Sequence, residues 1–214
     1  MRAKWAQLAR ENDALRRELS FLRAHPKLAL GLQGEKLVLS IVNGVASPRG
    51  SDCDVITRDG RVRLEIKYSS LLPMRGKDTR RWAWTKIFGE SGTKRFHRLI
   101  LVGESDGRFL NHYKDPSAPY VFFDVSPWAA ARLTKGRQPG RRSVIHLTTN
   151  PASIRSGRAV ELFHKHQVTA RDLERRYLRH QIVSAGSQQS NSATDNDTVR
   201  SPLRAPYGAR HRGR

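Results

Sequence analysis

Two acidic residues and one lysine lie on either side of a short turn sequence, at a spacing that suits metal chemistry. Asp54 comes before the turn, and Glu65 and Lys67 follow it with a single residue between them. Magnesium binds to one or two carboxylates in proteins and keeps several waters or substrate phosphates as its remaining ligands. A lysine beside such an ion can orient or deprotonate a water, or stabilise negative charge on a phosphate. These residue types therefore indicate metal-assisted attack of water on a phosphate.

A β-hairpin is the element that must bring these residues together. Asp59 and Gly60 form a preferred centre for a two-residue hairpin turn, and β-favouring residues flank them on both sides. With those two residues as the loop, Asp54 faces Glu65 across the strands. Because side chains alternate along a strand, the hairpin has a polar and an apolar face. The polar face carries Asp52, Asp54, Glu65 and Lys67, and the apolar face carries Cys53, Val55, Val62, Leu64 and Ile66.

The predicted pairing sets two carboxylates directly opposite each other. Opposed side chains in a hairpin have Cβ atoms roughly 5 Å apart, and like charges at that separation destabilise the pair. Asp54 and Glu65 therefore need a cation, a shared proton or a different register. A divalent metal ion is the most economical of these. The hairpin alone leaves a second interpretation open, in which its charged face is simply solvated.

The helix predicted before the hairpin carries one acid out of place. Residues 28–45 have helical periodicity with a narrow polar stripe. The stripe consists of Gln33, Lys36, Ser40 and Asn43, whereas Glu35 is in line with Leu28, Leu32, Leu39 and Val42. A carboxylate on an apolar stripe is unfavourable to bury unless a partner satisfies it. Glu35 either reaches water at the edge of that face or points at the hairpin carboxylates.

The sequence from the helical acid to the end of the hairpin resembles a known pattern. Glu35, then Asp54, then Glu65-Ile66-Lys67 is similar to the signature of the PD-(D/E)xK nuclease superfamily, whose restriction-endonuclease-like fold is shared with Holliday-junction resolvases. The match covers residues 31–70 and departs at Cys53, which stands where the motif has proline. The resemblance implies an α/β fold with a mixed central sheet flanked by helices.

The same resemblance implies roles for individual residues. Asp54, Glu65 and the carbonyl of Ile66 would bind Mg²⁺, with Mn²⁺ as a substitute ion. Glu35 would support that ion or a second one. Lys67 would be the catalytic lysine.

The charge balance of the chain favours a polyanionic partner. Among 214 residues, 40 are Lys or Arg and 19 are Asp or Glu, which gives a net charge of +21. Nucleic acid, and DNA in particular, is the expected partner. An anionic membrane surface would also attract such a chain, but we expect no membrane span, because no apolar run is long enough. A single cysteine and a charged first segment fit a cytoplasmic, nucleoid-associated protein.

The first 25 residues have a heptad pattern. Positions a are Trp5, Asn12 and Leu19, positions d are Leu8, Leu15 and Leu22, positions g include Glu11 and Glu18, and positions e include Arg16 and Arg23. Asparagine at one a position is typical of dimeric coiled coils with a fixed register. The pattern predicts a homodimeric coiled coil, or else an amphipathic helix packed on its own domain. Pro26 is expected to break this helix.

Basic and aromatic residues alternate in the segment 71–97, which we expect to be rich in loops. Candidate DNA-phosphate contacts there are Arg80, Arg81, Lys86, Lys94 and Arg95. Trp82 and Trp84 fit core packing on one strand face better than base stacking.

Further elements are predicted towards the end of the chain. Strands at 99–103, 120–125 and 143–148 should extend the sheet behind the hairpin. Helices are expected at 127–133, near 158–166, and from an N-cap at Thr169 to about residue 182. Residues 184–214 are polar and then arginine-rich, which predicts a disordered basic tail.

These patterns predict an N-terminal heptad helix (1–25), a PD-(D/E)xK-like domain (26–183) and a disordered tail (184–214). The expected function is a divalent-metal-dependent DNA endonuclease of restriction, homing or junction-resolving type. The alternative is a DNA-binding or scaffold protein that keeps the fold but does not cut. An RNA nuclease is a third interpretation that the sequence leaves open.

Overall fold

The structure is a computed structural model that describes residues 2–48, 50–74, 77–134 and 136–178. The helices are α1 (Arg2–Ala24), α2 (Pro26–Val42), α3 (Pro127–Leu133), α4 (Gly157–Lys165) and α5, of which residues 170–178 are described. The strands are β1 (Val45–Ala46), β2 (Val55–Ile56), β3 (Arg63–Ser69), β4 (Leu72–Met74), β5 (Lys77–Trp84), β6 (Arg98–Glu104), β7 (Tyr120–Val125), β8 (Ile145–Thr148) and β9 (Gln167–Val168). The predicted tail at 184–214 lies outside the described residues.

The central sheet is mixed, as expected. Its strand order is β1-β2-β3-β6-β7-β9, in which β3 and β6 are parallel and the other neighbours are antiparallel. After β3 the chain leaves the central sheet, forms β4 and β5, and returns as β6, which pairs in parallel with β3. The prediction of a mixed α/β protein with helices beside a mixed sheet is confirmed.

A second, antiparallel sheet of order β4-β5-β8 corrects two predictions. Segment 71–97 was expected to be rich in loops, yet it contains β4 and β5. The strand expected at 143–148 does not extend the central sheet, because β8 pairs with β5 instead. The basic residues of β5 obscured its alternation, in which Trp82 and Trp84 are fully buried. Their indole N–H groups donate to the carbonyls of Glu104 and Val102 at 2.9 Å, so core packing is confirmed for both.

The central sheet separates two hydrophobic cores. Along β6, Leu99 and Leu101 belong to the core that contains the tryptophans, and Ile100 and Val102 belong to the other. All four side chains are fully buried, which is typical of a strand covered on both faces. α2 packs on one face, and α3 and α4 cover the other together with the second sheet.

The break between the first two helices occurs where the sequence predicted it. Pro26 is the first residue of α2, where its missing N–H and fixed φ are tolerated. α2 ends at Val42, three residues before the predicted end, because Asn43 adopts a left-handed φ of 47° and its N–H donates to Leu39. None of the helices within the described ranges is long and apolar enough to cross a bilayer.

The start of α5 is also as predicted. The backbone N–H of Asp172 donates to Thr169 Oγ1, and the backbone N–H of Thr169 donates to Asp172 Oδ2, both at 3.0 Å. This reciprocal pair is a capping box. Leu173 and Val168 pack in the same core beside it. The predicted end of this helix near residue 182 lies outside the described residues.

Candidate active site

The hairpin has the predicted register but a different turn. Val55 pairs with Leu64, as expected if Asp54 is opposite Glu65. Thr57 N–H donates to the Val62 carbonyl, and Gly60 N–H donates to Thr57, so the loop contains four residues instead of two. Gly60 has a φ of +72°, a conformation that favours glycine. The register is unchanged because both turns set Thr57 opposite Val62.

Asp54 occupies the place where the β2–β3 ladder ends. Its backbone N–H still donates to the Leu64 carbonyl at 2.9 Å. Its Oδ2 accepts a hydrogen bond of 2.7 Å from the backbone N–H of Ile66, replacing a strand partner. Because the N–H and C=O of a strand residue point to the same neighbour, the Ile66 carbonyl faces this edge too. Asp54 is thereby fixed beside β3.

Glu65 is the most buried acid of the group, and each of its oxygens meets one ammonium. Its side chain is 0% exposed, Oε1 contacts Lys67 Nζ, and Oε2 contacts Lys94 Nζ. Lys94 Nζ also lies 3.2 Å from Asp54 Oδ1. The ammonium of Lys94 therefore bridges the two carboxylates whose repulsion the sequence had indicated.

Lys94 reaches this position through its loop. Phe88 and Phe96 stack with ring centroids 5.7 Å apart, and Lys94 N–H donates to the Phe88 carbonyl at 3.1 Å. A Cβ added at Gly89, whose φ is +74°, would lie 3.5 Å from the Cβ of Lys94, so the lysine stem passes close to this glycine. From the sequence, Lys94 was expected to lie on an exposed surface and contact DNA phosphates. Its side chain is only 18% exposed and contacts the carboxylates of Asp54 and Glu65 instead.

Glu35 approaches the group from α2. The preceding residue, Gly34, contacts β3 so closely that an added Cβ would lie 2.7 Å from the Cβ of Tyr68. This approach brings Glu35 to the hairpin, where it is half-buried. Burial raises its pKa, repulsion from Asp54 raises it further, and the two lysines lower it. A glycine inside an apolar helix was the available sequence signal for this close packing.

The electrostatics of the group bring the titration of Glu65 close to neutral pH. Burial raises the pKa of Glu65 to about 7, against the attraction of Lys67 and with added repulsion from Asp54. Burial lowers the pKa of Lys94, but attraction to Glu65 and Asp54 outweighs it and the net change is upward. The lysine thus stays charged while the glutamate titrates close to pH 7.

A cleft of about 720 Å³ opens on to this group. Glu35, Asp54 and Lys94 form its polar part, and Phe21, Leu22, Leu28 and Leu32 of the α1–α2 corner line its apolar wall. Its volume lies within the range of small-molecule sites in proteins. The carboxylate–lysine group is therefore accessible from solvent on one side.

The oxygen donors of the group suit a hard divalent ion. Among the described residues, no three His, Cys, Asp or Glu side chains already form a metal-binding cluster. Two carboxylates, from Asp54 and Glu65, and the Ile66 carbonyl nevertheless face one edge next to an open cleft. Mg²⁺ and Mn²⁺ accept such a donor set with waters filling the other positions. The set fits the ion once the Lys94 ammonium leaves the two carboxylates.

The other candidate residues lie outside this group. Arg80 and Arg95 are exposed, Arg81 is half-buried in β5, and Lys86 forms an exposed ion pair with Glu90. Asp52 is exposed beyond the end of the β2–β3 ladder.

A scan against known protein families finds no match for this chain, and a search of the curated proteins finds none either. The geometry alone defines a mixed α/β protein. Beside β3 and next to the cleft, the charges of three carboxylates and two lysines interact with one another. These residues are Glu35, Asp54, Glu65, Lys67 and Lys94.

Proposed function

We propose that this protein is a divalent-metal-dependent DNA endonuclease with a restriction-endonuclease-like core. The observation that carries the proposal is the convergence of Glu35, Asp54, Glu65 and Lys67 at one edge of a mixed sheet. A helical acid, two hairpin carboxylates and a lysine from separate elements meet beside one cleft. The superfamily resemblance rests on the same four residues.

The chemistry assigned to each residue follows from its contacts. Asp54, Glu65 and the Ile66 carbonyl would hold Mg²⁺ or Mn²⁺. When bound, such an ion polarises a phosphate and lowers the pKa of a coordinated water. Lys67, held by Glu65, orients the attacking water or stabilises charge on the phosphate. Glu35 lines the cleft and would support this ion or a second one.

DNA is the proposed substrate because the protein is strongly basic. The net charge of +21 favours a polyanion. Exposed basic residues of segment 71–97 are proposed to contact the phosphate backbone, namely Arg80, Lys86 and Arg95. Arg81 is included with them as a half-buried residue of the same strand.

The proposal includes a homodimer formed through α1. The seam of the heptad pattern faces solvent from Trp5 to Leu19, and Leu22 lines the cleft: Trp5 is 70% exposed and Leu15 is 58% exposed. That exposure favours a second copy over packing on the protein's own domain. In a parallel pair, the g-position Glu11 would meet the e-position Arg16 of the second copy. Two sites would then serve the two DNA strands.

Cleavage assays test the function directly. Purified protein is incubated with supercoiled plasmid or a four-way junction, in Mg²⁺ or in EDTA. We expect product only with the metal, and none from Lys67→Ala or Asp54→Asn. Asp52→Asn is the matched control, because it removes an exposed acid from the same hairpin. Equal activity in Lys67→Ala and the unaltered protein would refute the assignment.

One observation favours a second candidate, a DNA-binding protein that does not cut. Lys67 contacts Glu65, and Lys94 contacts both Glu65 and Asp54, so two ammonium groups offset the charge of these two carboxylates without any metal. Such a protein would bind DNA equally well in Mg²⁺ and EDTA, with strong salt dependence. It would yield no cleavage product with either substrate.

A further inference from the structure

The four carboxylate oxygens of Asp54 and Glu65 each contact a backbone amide or an ammonium group. Asp54 Oδ2 accepts from the Ile66 N–H, and Glu65 Oε1 contacts Lys67. The other two oxygens, Asp54 Oδ1 and Glu65 Oε2, share the ammonium of Lys94. Lys94 therefore occupies the space between the two carboxylates.

A divalent ion held by both carboxylates would use the oxygens that Lys94 now bridges. The other two oxygens already have partners. The Ile66 backbone N–H donates to Asp54 Oδ2, and the proposed catalytic Lys67 contacts Glu65 Oε1. Two cations do not share one such position, because their repulsion adds to the loss of the ion pairs. Binding of the ion and the present position of Lys94 therefore exclude each other.

The surroundings of Lys94 give its ammonium a place to go. The residue lines the open cleft together with Glu35. A lysine head group sits on a flexible four-carbon stem, so it can move several ångströms while its backbone stays in place. In the cleft it would meet the Glu35 carboxylate or a phosphate of the substrate.

We propose that Lys94 is a resident counter-ion of the metal site. It neutralises Asp54 and Glu65 in the metal-free protein, and the ion binds only as Lys94 moves into the cleft. The protein is thereby kept stable without metal, at the expense of metal affinity. This inference rests on the proposed function, since it assumes the same metal site.

Titration of the full chain with Mn²⁺, without DNA, tests the inference. Free Mn²⁺ is measured by electron paramagnetic resonance at pH 8. We expect Lys94→Met to bind Mn²⁺ about tenfold more tightly than the unaltered protein, within the usual range of coupling between two sites. Lys94→Arg should keep the weak affinity because it keeps the charge. Lys36→Met, which removes the exposed lysine next to Glu35, is the control and should change affinity little.

The outcomes separate the inference from the function. If Lys94→Met binds Mn²⁺ no more tightly, while Asp54→Asn abolishes binding, the inference is refuted and the metal site stands. If neither the unaltered protein nor Lys94→Met binds Mn²⁺, both fail.

A second measurement on the unaltered chain needs no substitution at Lys94, in case that variant does not fold. Lysine acetylation by a small reagent is followed by mass spectrometry with and without Mn²⁺. Release of Lys94 should raise its acetylation rate severalfold, whereas Lys36 should react at the same rate in both conditions. A Lys94 rate that is unchanged or lowered by Mn²⁺ would refute the inference.

Discussion

Replacement of Glu65 by glutamine should remove a large part of the pH dependence of stability. The pKa of Glu65 is raised from 4.5 to about 7, chiefly by burial. A raised pKa means that the folded protein binds this proton more tightly than the unfolded chain does. The stability that Glu65 contributes is therefore present below pH 4.5 and is lost as the pH rises towards 7.

The size of the effect follows from the two pKa values. One pKa unit corresponds to about 1.4 kcal/mol, so full titration of Glu65 lowers the free energy of unfolding by about 3 kcal/mol. Most of that loss falls between pH 5 and pH 8. Solvent screening does not reduce this value, because the Glu65 side chain is fully buried. Glutamine has nearly the same shape and carries no titrating proton, so its variant should lack this loss.

Urea unfolding in EDTA at pH 5 and pH 8 measures the difference. The buried Trp82 and Trp84 provide the fluorescence signal. Between these pH values, the unaltered protein should lose roughly 2–3 kcal/mol more than Glu65→Gln does. Comparison of the two proteins cancels the contributions of other groups, such as His166, whose pKa is lowered chiefly by burial. Glu90→Gln, at an exposed acid, is the control. Parallel stability profiles for the unaltered protein and Glu65→Gln would refute the reasoning.

Three further predictions concern α1, the buried ion pairs of β7 and the packing of α2 on β3. Leu15→Glu should convert a dimer into monomers in sedimentation analysis, because it charges the exposed seam of α1; a mass unchanged by the substitution contradicts this. Asp124→Asn should lower stability by roughly 3 kcal/mol in urea unfolding, because it removes the buried negative charge that pairs with Arg98 and Arg176; a loss below about 1 kcal/mol would contradict it. Gly34→Ala should lower stability by about 1–3 kcal/mol and abolish cleavage, because its Cβ would overlap Tyr68; a fully active variant would argue against it.

The parts of the fold that could be predicted are those set by neighbours in sequence. The hairpin register was predictable because Thr57 faces Val62 in both the expected and the observed turn. The capping box at Thr169 was predictable because its two partners are three residues apart. In each case the interaction that fixes the structure is encoded within a few residues.

The parts that could not be predicted depend on contacts between distant segments. The composition of β8 indicates a strand but does not say which sheet receives it, and pairing with β5 was decided by tertiary packing. The turn between Thr57 and Val62 is an exception, because a local contact made it differ from the expected turn: Thr57 Oγ1 donates to Asp59 Oδ1 and stabilises a wider loop. Neither choice leaves a periodic signal in the sequence.

Lys94 supplies the positive charge that the sequence led us to expect from a metal ion. Opposed carboxylates at Asp54 and Glu65 require positive charge between them, and the sequence alone favoured a metal ion. An ammonium satisfies the same requirement, provided that a loop carries it there. The stacking of Phe88 on Phe96 closes that loop, and it joins residues that no local pattern relates to the hairpin. The charge requirement was therefore predictable from two strands, whereas the identity of the cation depended on a third segment.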